Sequence, residues 1–207
     1  MNQLDLIILV AYIITVVLVL RQAIASVNKM TELEFSDEGL QGALKRYELS
    51  EQLDISFKLP DPYPMGEQPK AMLLIVTNHL ERAVFIDWDR STFTDTKGRS
   101  RRVIRLVPYK GSEAISAQVY SPIPPGKTIQ EAITAEDSLE YDGDALKAQK
   151  PIVDIEKPEK FAEGDTVGFS LWLVIHMQET EDLDDWTCIL PCDFIVRRCL
   201  WTDSLPF

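Results

Sequence analysis

Thr166-Val167-Gly168-Phe169-Ser170-Leu171-Trp172-Leu173-Val174-Ile175-His176-Met177 reads as one long, uninterrupted strand. Its odd-numbered apolar members Phe169, Leu171, Leu173 and Ile175 recur every second residue, which places them on one face and toward a core. Trp172 and Val174 make the opposite face apolar as well, a pattern that predicts burial on both sides. A second β-forming run, residues 186–196, follows closely, and the acidic stretch 179–185 between them reads as the turn of a hairpin.

Upstream, further β-branched and aromatic runs occupy residues 53–59, 71–77, 83–88, 101–107 and 117–120. Pro60-Asp61-Pro62, residues 78–81, Thr96-Lys97-Gly98 and residues 122–126 separate them, all rich in residues that bend or stop a strand. Seven strands without helices between them predict a mainly β fold, an immunoglobulin-like antiparallel β-sandwich closed by Greek-key connections and spanning residues 51–207.

The front of the chain differs in kind. Residues 6–20 read LIILVAYIITVVLVL without a charge, and apolar character continues past Arg21 through Ala23, Ile24, Ala25 and Val27. This supplies the about 20 apolar residues that cross a bilayer, so residues 1–27 are expected to be a transmembrane anchor, with residues 4–27 in contact with lipid. The rival is a cleaved signal peptide, for which Ala23-Ile24-Ala25 offers a small-x-small site. Against it stand the lack of a positive residue before the run, the negative Asp5 and the charge at Arg21. Arg21 and Lys29 behind the helix place the β domain on the cytoplasmic side. Residues 28–50 read as a connector with a short amphipathic helix, Leu33, Leu40, Leu44 and Tyr47 sharing a face and Ser36, Asp37 and Glu38 forming its start.

The 207 residues carry a net charge of −12, which excludes a general nucleic-acid binder because most of the surface would repel a polyanion. Cys188, Cys192 and Cys199 are an odd set; with Cys188 and Cys192 about 13 Å apart along a strand, reduced thiols are expected, in keeping with a cytoplasmic location.

The segment Ile86-Asp87-Trp88-Asp89-Arg90-Ser91, with Phe93, Asp95, Gly98, Arg102-Val103-Ile104 and Ile123-Pro124-Pro125-Gly126, resembles a pattern found in uncharacterised bacterial membrane-attached or lipoprotein-like proteins with an immunoglobulin-like sandwich. The resemblance spans residues 73–198 and implies fold and envelope association, with no activity attached. This chain departs from the lipoprotein members in having no lipobox cysteine and in carrying the acidic stretch 136–144.

Several side-chain groupings bear on chemistry. Lys97, Arg99, Arg101, Arg102, Arg105 and Lys110 are the basic concentration of an acidic chain and would suit anionic headgroups or an acidic partner, or else form the solvated outer face of a hairpin. Glu136, Asp137, Glu140, Asp142 and Asp144 gather oxygen donors of the kind Ca²⁺ favours, in a spacing that is not an EF-hand's and that a charged loop also explains. Asp87 and Asp89 flank Trp88 and are expected on one strand face. Gly126-Lys127-Thr128 has the end of a phosphate loop without its first glycine. His79 and His176 would have to complete any cysteine metal site or hydrolytic triad, and neither Gly-x-Ser-x-Gly nor His-Glu-x-x-His occurs. The expected function is therefore a non-enzymatic, membrane-anchored interaction or accessory protein with a protein partner and no cofactor, such as a small subunit or assembly factor of a membrane complex. The alternative is an exported soluble binding module, with Ca²⁺ at residues 136–144.

Overall fold

The computed structural model describes residues 3–27, 30–106, 120–143, 145–153, 155, 161, 164–177 and 186–199. Helix α1 (Gln3–Val27) precedes strand β1 (Met30–Ser36), helix α2 (Glu38–Arg46) and strands β2 (Leu53–Lys58), β3 (Tyr63–Pro64), β4 (Met72–Asn78), β5 (Val84–Thr94) and β6 (Ser100–Arg105). Strands β7 (Ser121–Ile123) and β8 (Lys127–Ala135), a 3-10 turn (Glu136–Ser138), and strands β9 (Leu139–Asp142), β10 (Ala145–Ala148), β11 (Thr166–Met177) and β12 (Trp186–Arg198) complete the described chain. The fold is mainly β, with an antiparallel, curled, sandwich-like sheet.

Ten strands share that sheet in the order β2-β4-β8-β6-β5-β11-β12-β1-β3, with β7 beside β5, while β9 and β10 form a separate hairpin. Two features curl it. Strand β6 pairs with β5 through Ser100, Arg101 and Arg102 and with β8 through Val103, Ile104 and Arg105, so it leaves one layer and enters the other midway. Strands β2 and β3 lie at opposite ends of the order although only residues 59–62 separate them. Five backbone steps reach at most about 18 Å, so the two rims must lie close together. The rings confirm the closure: Phe57 of β2 lies 4.9 Å from both Phe35 of β1 and Phe194 of β12, and Phe169 of β11 stacks on Phe194 at 4.9 Å.

The core follows the alternation read from residues 166–177: Phe169, Leu171, Leu173 and Ile175 are buried and face Phe194, Cys192, Leu190 and Cys188 across the β11–β12 ladder. Val174 is also buried, but Trp172 is 49% exposed, so the strand is covered on its second face only in part.

The first residues of the connector are not a connector. Met30–Ser36 is a sheet strand, pairing Thr31 with Arg198 and Ser36 with Asp193, so the β domain begins at Met30 rather than 51. Leu33 therefore belongs to a strand. The helix starts one residue later than expected, with Asp37 at its N-cap, and buries Leu40, Ala43 and Leu44. β1 covers only residues 193–198 of β12; α2 packs beside the part before it, with Gly39 against Pro191 and Asp193 and Tyr47 edge-on to Trp186 at 5.6 Å. A helix thus shields strand edge that would otherwise stay open. α2 ends in a Schellman motif: Leu49 N–H donates to Leu44 O at 2.8 Å and Glu48 N–H to Lys45 O at 3.2 Å, with Glu48 at φ 59°.

α1 is 25 residues, about 37 Å at 1.5 Å per residue, and its stretch Leu6–Ala25 is long and apolar enough to span a bilayer, as a signal sequence near an N-terminus also is. None of that stretch is buried by the rest of the chain. Its Thr15 hydroxyl donates to Ala11 O at 2.9 Å, which satisfies the group without water.

Candidate functional site

The outer face of β5, β11 and β12 carries a connected polar arrangement. Along β5 and β11, Thr92 pairs with Trp172 and Asp87 with Val174, so residues 88–91 of β5 oppose the single Leu173. This bulge breaks the two-residue period. Asp87 stays on the outer face, Trp88 turns into the core at 0% exposure, and Asp89 is exposed beside Arg102 at 2.6 Å. Asp87 and Asp89 stand on either side of the inward Trp88 and turn to different partners, Asp87 to His176 and Asp89 to Arg102.

Ser91 fills the gap in the ladder, its hydroxyl donating to Asp87 O at 2.6 Å and accepting Val174 N–H at 3.0 Å. The Asp87 carboxylate, almost fully buried, accepts Arg90 N–H at 3.1 Å through Oδ1 and meets His176 Nε2 at 2.8 Å through Oδ2. His176 Nδ1 lies 2.8 Å from Thr187 Oγ1, and the Tyr120 ring stands edge-on to the imidazole at 5.6 Å. An ionised carboxylate only accepts, so Nε2 carries hydrogen; Nδ1 then accepts from the threonine hydroxyl in neutral imidazole or donates to it in imidazolium. Hydroxyl, imidazole and carboxylate in line can relay a proton. The same bonds also fasten three strands, since Asp87, His176 and Thr187 come from β5, β11 and β12.

A second network lies behind Trp88. Ser121 Oγ accepts Trp88 Nε1–H at 2.9 Å and Arg105 Nη1–H at 2.9 Å and donates to Glu131 Oε1 at 3.2 Å, which uses its one hydrogen and both lone pairs. Arg105 also reaches Glu131 at 3.2 Å.

The basic concentration is distributed among separate ion pairs. Arg99 pairs with Asp95 at 2.7 Å, Arg101 with Asp137 at 3.0 Å and with the Ile152 carbonyl at 2.6 Å, and Arg102 with Asp89 at 2.6 Å. Lys97 sits in the β5–β6 turn, its amide donating to Asp95 Oδ1 at 2.9 Å. Lys110 lies outside the described residues. Burial raises the Asp95 carboxyl, but hydrogen bonds from Arg99 and Lys97 and the Arg99 charge outweigh it and hold the group below its ordinary range.

The acidic stretch is a turn and a hairpin rather than a loop. Glu136 lies 4.0 Å from Arg102, Glu140 meets Lys150 at 2.9 Å and Asp142 meets Lys147 at 2.5 Å, so these carboxylates turn to different cations; Asp144 is outside the described residues. Among the described residues no three metal-ligating side chains converge. His79 pairs with Asp54 at 2.8 Å, and Cys188, Cys192 and Cys199 are buried cysteines that form no disulfide among the described residues. Gly126, at φ 64°, and Lys127 make the β7–β8 turn, and Thr128 meets Thr77 at 2.9 Å between hydroxyls.

Sequence reasoning missed one feature of the same outer face. Trp172, Ile189 and Ile195 are 49%, 43% and 37% exposed, and Trp172 lies opposite Pro191 in the ladder. The signal was present in the outward residues of β12, where Ile189, Pro191 and Ile195 alternate with buried ones. In comparisons with known proteins, no family model, no curated protein and no solved structure matches the chain.

Proposed function

We propose that this chain is a membrane-anchored, non-enzymatic interaction protein, with α1 in the bilayer and the β domain presenting its outer sheet face to a protein partner, as a small subunit or assembly factor of a membrane complex does. The observation that carries the reading is the joint between the two parts. Only residues 28 and 29 separate the exposed apolar helix from a strand built into the sheet, so the domain is held within about 11 Å of the helix end. Arg21 and Lys29 support the cytoplasmic side for the domain. The resemblance to bacterial membrane-attached sandwich proteins agrees with this, and the paired arginines support a partner recognised by shape and apolar contact rather than by an open basic patch.

A second reading, an exported soluble binding module, is favoured by one fact: cleavage after Ala25 would leave β1, which begins at Met30, complete. Extraction of native membranes with mild detergent, native separation and intact-mass measurement decides between them. Full-length chain co-migrating with a defined complex supports the anchored reading. A chain lacking residues 1–25 and running alone sinks it.

A further inference from the structure

We infer that the outer face of the β11–β12 hairpin, centred on Trp172 and Asp193, docks a protein segment that presents aliphatic side chains next to a lysine or arginine. The inference rests on the anchored-interaction reading and names the partner chemistry for it. Trp172, Ile189, Pro191 and Ile195 point outward from adjacent strands, and Gly168, opposite Ile195, leaves a trough beside it. Tryptophan is enriched in binding hot spots, where a large rigid ring loses little entropy on burial, and the aliphatic side chains beside it extend the apolar surface a partner would cover.

Charge selects the occupant. Two of the acids on this side, Glu32 and Glu34, share the guanidinium of Arg197, at 3.0 and 2.6 Å. Asp193 differs: it is exposed between Pro191 and Ile195 and has no ion pair or side-chain hydrogen bond to a described residue. Gly39 of α2 closes in on it, such that a Cβ there would stand 2.9 Å from Asp193 Oδ2, so the absence of a side chain at that position leaves the carboxylate its place at the rim. A carboxylate set within an apolar stripe, on a chain of net charge −12, is matched by a cation flanked by aliphatic groups and repels another acidic surface.

Position agrees with a partner held in the same membrane. Cys199 N–H bonds Met30 O at 3.0 Å, where the chain arrives from α1. At about 3.3 Å per residue, Ile195 lies roughly 13 Å and Ile189 roughly 33 Å from that point along β12. A segment leaving the bilayer beside α1 reaches the stripe within a few turns.

The test uses the full-length chain in its native membranes, treated with a carbodiimide that joins carboxylates directly to amines, then extracted in mild detergent and separated in native form. Cross-linked peptides joining Asp193 to a lysine of another protein are expected, with recovery of the complex falling at least tenfold for Trp172→Glu and for Asp193→Lys. Tyr141→Glu, on the β9–β10 hairpin at 78% exposure, is the control and should leave recovery unchanged. Far-UV circular dichroism and a thermal melt within a few degrees of wild type show that the variants fold. Where the partner's cation is arginine, the loss in the two variants carries the result. A complex that survives both variants overturns this inference and leaves the anchored reading standing; a chain that runs alone overturns both. Coupling of Asp193 to a second copy of this chain overturns the assignment of a basic partner.

Discussion

Asp87 and His176, 89 positions apart in sequence, meet at 2.8 Å between carboxylate and imidazole on the outer face of the sheet. Asp87→Ala leaves a half-buried imidazole and the Arg90 amide without their carboxylate acceptor, and is expected to cost about 2–3 kcal/mol. In a domain of this size that lowers the melting temperature by roughly 5–10 °C. Asp87→Asn keeps an oxygen for the Arg90 amide and should cost less than half as much, read from thermal unfolding followed by circular dichroism.

Ser91 has the same character at the bulge. Its hydroxyl is the acceptor for Val174 N–H at 3.0 Å, and Ser91→Ala removes it from a buried position. The expected loss is about 1–3 kcal/mol, accompanied by faster amide hydrogen exchange at Val174, which a nonlocal loss of stability would spread over the whole ladder.

Helix α2 and the turn that ends it each hold one residue unsuited to its backbone. Glu48 holds φ 59° where glycine is preferred, and Gly42 is an exposed helical glycine with nothing within 4 Å of the place a Cβ would occupy. Glu48→Gly and Gly42→Ala should each stabilise the domain by about 1 kcal/mol, and the double variant by about the sum if the two sites act independently. Denaturant midpoints measured at constant slope check this.

Burial pushes the Cys188 thiol from 9.0 up to about 11, and burial with the nearby Asp193 carboxylate raises Cys192 as well. Between pH 9 and about 11 the unfolded chain therefore holds fewer thiol protons than the folded one, and stability falls as pH rises; below 9 the contribution is fully present. The urea midpoint at pH 10.5 should lie below that at pH 8, and the Cys188→Ala, Cys192→Ala double variant should show a smaller drop. At pH 8 a thiol reagent should modify Cys188 and Cys192 only after unfolding.

How much of this the sequence disclosed depends on where each residue's partner lies. Thr166–Met177 was legible to its ends because a buried face of Phe169, Leu171, Leu173 and Ile175 repeats without interruption. Met30–Ser36 was not, because Leu33, Leu40, Leu44 and Tyr47 also satisfy a helical spacing, and the strand is imposed by β12, some 160 residues away. Lys127–Ala135 was missed because its inward series Ile129, Glu131, Ile133 contains a glutamate, placed there by Arg105 and Ser121. The site was legible as a set of residue types only. Asp87 meets His176 and Asp89 meets Arg102, partners that no local spacing announces, and the arginines of residues 99–105 find their carboxylates as far away as Asp137.

The pairing of β1 with β12 also orders the events of synthesis. Residues 30–36 leave the ribosome some 160 residues ahead of their main partner, residues 193–198. At 5–20 residues per second, β1 waits roughly 8–30 s for that ladder. Until then its described strand contact is the two-residue bridge of Met30 and Thr31 to β3. A nascent or truncated chain ending before residue 193 leaves the edge of β1 that β12 would cover without its partner, the kind of open strand edge that invites mispairing.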